Sequence, residues 1–133
     1  LMLYQKIKKM KKQLSVVVLQ TLKKVEIHAL SEKDQFAIVD NIIALSDEVE
    51  ALSKAEKEAV EKFTVKGYDE LEGPEKDEAT HEFNTKFMEF MKPRYEAESE
   101  VKLKKVTKEG LAKLYKQKGL VAGELALLSR ELR

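Results

Sequence analysis

From Asp34 to Lys66 the chain reads DQFAIVDNIIALSDEVEALSKAEKEAVEKFTVK, without a Gly or Pro, and apolar residues recur at Ile38, Ile42, Leu45, Val49, Leu52, Ala59 and Phe63. Steps of three and four fit one face of an α-helix and not the two-residue alternation of a strand. The pattern predicts one long amphipathic helix with its charges on the opposite face, so its apolar stripe must be covered by other segments or by a partner. A similar spacing at Leu3, Ile7, Met10, Leu14, Val17 or Val18, Leu22 and Val25 predicts an earlier helix over about 3–25. The two would pack as an antiparallel hairpin with coiled-coil-like contacts, residues 1–66. Ser31, with Asp34 behind it, suits the start of the long helix, because a hydroxyl accepts from the free amides there and acids favour its positive end.

The helical pattern stops at KGYDELEGPEKDE, where Gly67, Gly73 and Pro74 stand among acids. Residues 67–76 therefore read as an exposed acidic loop. A third helix is expected over about 77–92, carrying Phe83, Phe87, Phe90 and Met91, with a kink or restart at Pro93. In VKLKKV, residues 101–106, the period changes to two, which predicts an extended connector or short edge strand with its lysines outward. Thr107 reads as the cap of a short helix containing Leu111, Leu114 and Tyr115. A last helix over 121–132 presents Leu125, Leu128 and Leu132. The expected fold is all-α, a helical bundle: the long hairpin, a third helix and two short C-terminal helices in a single domain, 1–133.

A length of 133 residues is enough for one core without metals or disulfides. Cysteine is absent, which excludes disulfide frameworks, thiol nucleophiles and cysteine-bound zinc. No apolar run approaches the roughly 20 residues that cross a bilayer, and no signal-peptide pattern opens the chain. The expectation is a protein with no membrane role, cytoplasmic in location.

Net charge is only +1, but it is segregated. Residues 1–30 hold seven Lys against Glu26, and residues 101–133 hold nine basic residues against three acidic ones. Between them, 31–62 carry four Lys against nine acids and 63–100 five basic residues against eleven acids. Two readings follow: oppositely charged helices that select each other as neighbours, or a basic face for nucleic acid. For the second, the compact run KIKKMKK supplies Lys6, Lys8, Lys9, Lys11 and Lys12, and VKLKKVTK, residues 101–108, is a second basic run. These would neutralise phosphates without reading bases, since Arg, the usual base reader, occurs only at positions 94, 130 and 133.

Catalytic signatures are missing. The two histidines, His28 and His81, belong to no HExxH, and the single ExxH pair, Glu78 with His81, lacks the second copy that a di-iron bundle needs. Neither a GxSxG turn nor a glycine-rich phosphate loop is present. DELEGPEKDE lacks the alternating oxygen ligands of a calcium loop. The chain is therefore expected to be no enzyme and to carry no cofactor or metal. What remains is interaction, with a protein partner or with a second copy, and the density of Phe87, Phe90 and Met91 makes them either core or partner anchors.

The order of parts, LQTLKKVEIHALSEKDQ closing a first helix, then the long FAIVDNIIALSDEVEALSKAEKEAVEKF, a charged loop, HEFNTKFMEFMKPRYEAESEV, a short basic extended piece and GLVAGELALLSREL, resembles an uncharacterised family of small helical proteins of tailed phages and prophages. That resemblance implies no reaction and no functional residues. It implies a virion-associated or assembly-accessory protein in a bacterial host.

Overall fold

The computed structural model describes residues 9–133. It is all-α: α1 (Lys12–Leu22), α2 (Glu32–Phe63), α3 (Gly73–Glu96), α4 (Lys108–Tyr115) and α5 (Ala122–Leu132). Among the described residues there is no strand, only an isolated antiparallel bridge between Lys11 and Glu98. The chain forms two compact units, one taking Glu98–Arg133 with the chain up to Val49, the other Glu50–Ala97, so α2 contributes to both.

In the first unit, α1 is shorter than its apolar spacing predicts. Residues 9–11 lie outside the helix, and the Ser99 amide donates to the Met10 carbonyl at 2.7 Å. Lys8, Lys9, Lys11 and Lys12 would stack like charges at three- and four-residue spacing on a helix, which disfavours that form. The part of the predicted helix before Lys9 lies outside the described residues. From its start, α1 runs antiparallel to the first half of α2, with Ser15 Oγ donating to Glu48 at 2.7 Å. Val18, Leu22, Ile38, Leu45, Leu114, Leu128 and Leu132 form the core, drawing on α1, α2, α4 and α5. The caps follow the sequence: the Asp34 amide donates to Ser31 Oγ at 3.3 Å, and the Gly110 amide to Thr107 Oγ1 at 3.0 Å.

The second unit is a helical hairpin built from residues 50–63 of α2 and from α3. Its antiparallel sense is set by three pairs: Tyr95 donating to Glu56, Phe63 edge-on to Phe90, and Tyr68 Oη against Thr80 Oγ1 at 2.6 Å. Gly67 turns the chain at φ +77°, a left-handed conformation that side chains resist. The acidic loop is shorter than its composition predicts, because α3 begins at Gly73 and takes Pro74 and Glu75 into its first turn, where a missing amide costs nothing and an acid meets the positive helix end. α3 then runs on through Pro93 to Glu96, without the restart expected there, although Pro93 lacks the amide that would bond the Glu89 carbonyl. Leu52, Ala59, Ala79 and Met91 make a thin core.

Candidate functional site

Three polar side chains of α2, seven residues apart, face the segment that leads into α4. Asp34 accepts the Thr107 amide at 3.0 Å and its hydroxyl at 2.5 Å. Asn41 donates to the Lys104 carbonyl at 3.0 Å and accepts its amide at 2.7 Å. Glu48 accepts the Glu100 amide at 3.1 Å. Seven helical residues advance about 10.5 Å, and three or four extended residues about 10–13 Å, so the two registers match. α2 thus holds a strand-like segment by side chains where a sheet would use a neighbouring backbone. Gln117 repeats the device, bonding both the amide and the carbonyl of Glu26.

Burial by itself would raise the Asp34 carboxyl. The hydroxyl and amide of Thr107, the Ser31 hydroxyl and the nearby Lys33 outweigh it and hold the group below the usual carboxylate range. In the second unit, burial and then the Glu56 carboxylate push the Tyr95 phenol up to about 12. Among the described residues no buried polar side-chain atom lacks a partner. These buried polar groups are committed to hydrogen bonds within the fold.

The residues singled out from the sequence are distributed differently. Met91 is 0% exposed, and Phe90 is half-buried between Phe63 and the Arg94 guanidinium, whose carbon lies 3.8 Å from the ring centre. Phe87, also half-buried, packs against Phe83 with ring centres 5.5 Å apart. Lys9 and Lys11 are exposed and Lys12 is half-buried, while Lys6 and Lys8 lie outside the described residues. His28 and His81 are both exposed, and among the described residues no three metal-ligating side chains converge. A cleft of about 340 Å³ at the turn of the hairpin is lined by Tyr68, Thr80 and Phe83 without a charged group.

Two surfaces emerge that the sequence did not single out. On α2, Phe36 (61% exposed), Val39 (38%) and Ile43 (60%) follow at three- and four-residue steps on the side opposite the core. The signal was present as apolar residues outside the main stripe. On α4, Tyr115 is 52% exposed and stands among exposed lysines instead of joining Leu111 and Leu114 inside. Compared with known family models, curated proteins and solved structures, the chain has no significant match. No described helix is long and apolar enough to cross a membrane.

Proposed function

We propose that this is a non-enzymatic assembly protein whose partner includes a second copy of itself, joined through the outer face of α2. The observation that carries the reading is the stripe of Phe36, Val39 and Ile43, three large apolar side chains on successive turns that the core of the first unit leaves open. Charge favours a second copy in antiparallel register. About a two-fold axis near Asp40, Phe36 of one chain meets Ile43 of the other, and Lys33 meets Asp47. Both Lys33 and Asp47 are exposed, and neither makes an ion pair among the described residues. Asp40 would face its own copy, but Lys104 already neutralises it at 2.6 Å.

One pair of helices buries less than the about 1,200 Å² of a stable specific interface, so the association is reversible and depends on concentration. The phage-family resemblance fits such a component of a virion or of its assembly. Because the chain has no cysteine, a single Val39→Cys variant gives a clean test. Rapid disulfide-linked dimer formation under mild oxidation, absent for a control cysteine at exposed Lys57, supports the α2 pairing. Equal cross-linking at both positions refutes it.

A further inference from the structure

We infer that the α4 surface is a binding site for single-stranded nucleic acid, with Tyr115 as a stacking platform in a field of lysines. This site shares no residue with the α2 face and does not depend on it. The segregated charge of the sequence falls along the two units. The first holds 17 basic against 11 acidic residues, a net +6, and the second 8 against 13, a net −5. The excess concentrates in residues 102–118, where seven lysines face the single acid Glu109.

All seven of these lysines are exposed. Only Lys104 is engaged, with Asp40; the other six make no ion pair among the described residues. Like charges crowded without partners weaken the fold that carries them and attract a polyanion. Leu111 and Leu114 turn one side of α4 inward, which leaves Lys108, Ala112, Tyr115 and Lys116 together on the outer side. Ala112 leaves the Tyr115 ring open from that side.

Lysines alone would serve an acidic protein equally well. An exposed ring among them discriminates, because unpaired bases stack on it whatever their identity, whereas duplex bases are already stacked on each other. Lysine in place of arginine means phosphate neutralisation without base reading, so binding should not depend on sequence.

The test is fluorescence anisotropy of a labelled oligothymidylate of about 20 nucleotides. A DNA duplex of the same length and polyglutamate serve as competitors, with salt varied from about 50 to 200 mM. The oligothymidylate should bind with an affinity that falls steeply with salt and should be displaced poorly by both competitors. Neutralising Lys108, Lys113 and Lys116 together to Ala should reduce the salt slope by about 2. Tyr115→Ala should weaken binding roughly 5- to 150-fold, and Tyr115→Phe should retain it. Tyr115→Leu, which keeps apolar bulk without the ring, should fall with Tyr115→Ala, so a loss of folding is not mistaken for a loss of stacking. Absence of binding overturns the inference. So does polyglutamate competing as well as the oligonucleotide, which assigns the surface to an acidic protein, or full affinity in Tyr115→Ala and Tyr115→Leu.

Discussion

Asn41 and Lys104 complete each other's hydrogen bonding: the side-chain amide of one bonds both the carbonyl and the amide of the other's backbone, at 3.0 and 2.7 Å. Asn41 is buried, so its loss would orphan two main-chain groups at once. Asn41→Leu should therefore lower the unfolding free energy by about 1–3 kcal/mol in a urea titration. Lys104→Ala keeps the backbone and loses only an exposed ion pair with Asp40, a change of about 0.5 kcal/mol. The opposite ranking would mean that the lysine side chain, not the main chain, ties this segment down.

Gly110 sits where α4 meets Asp34. A Cβ there would lie 2.3 Å from Asp34 Oδ2 and 2.5 Å from Val106 Cγ1. Inside an ordinary helix, alanine in place of glycine stabilises by up to about 1 kcal/mol. Here the sign reverses, because the carboxylate is held by Thr107 and cannot retreat, and Gly110→Ala should cost about 1–3 kcal/mol. A thermal midpoint equal to or above that of the wild type would show that the contact relaxes freely.

Asp34 also sets an acid limit. Its carboxyl is held lower in the folded chain than in the unfolded one, so its contribution is fully present above the unfolded value, about 4, and is lost as pH falls through the folded value. Stability followed by urea titration should decline below about pH 4. Asp34→Asn should be less stable at neutral pH and show a shallower decline. An identical acid limb in both proteins would place the titration elsewhere.

Met91 separates core from interface. Met91→Ala should cost about 2–5 kcal/mol and leave the mass of the folded protein in solution unchanged. Unchanged stability with lost association would make Phe87, Phe90 and Met91 partner anchors.

Much of the architecture was legible because apolar spacing is a strong helical signal. Ile38, Leu45, Leu52 and Ala59, all on the predicted stripe, are all buried. The caps at Ser31 and Thr107 were readable from residue type and position alone. The polar ladder was harder to see, although Asp34 and Asn41 occupy helix positions that Ile38 and Leu45 mark as inward-facing. Polar residues at such positions imply a specific buried partner, but their partners, Thr107 and Lys104, are 73 and 63 residues away and contribute backbone groups that no side-chain pattern records. The exposure of Tyr115 was not read from the sequence for a related reason. Its neighbour Leu114 is inward, and one residue of helix turns a side chain by about 100°, enough to bring the ring out among the lysines.

The most direct measurement is light scattering after size exclusion over a concentration series, comparing wild type with Phe36→Ser and Ile43→Glu. Both substitutions lie on exposed positions and should leave the thermal midpoint near that of the wild type. The wild-type mass should rise with concentration from that of one chain toward that of two, while both variants remain at one chain throughout. A wild type that stays monomeric at every concentration, or variants that associate as it does, would contradict assembly through the α2 face.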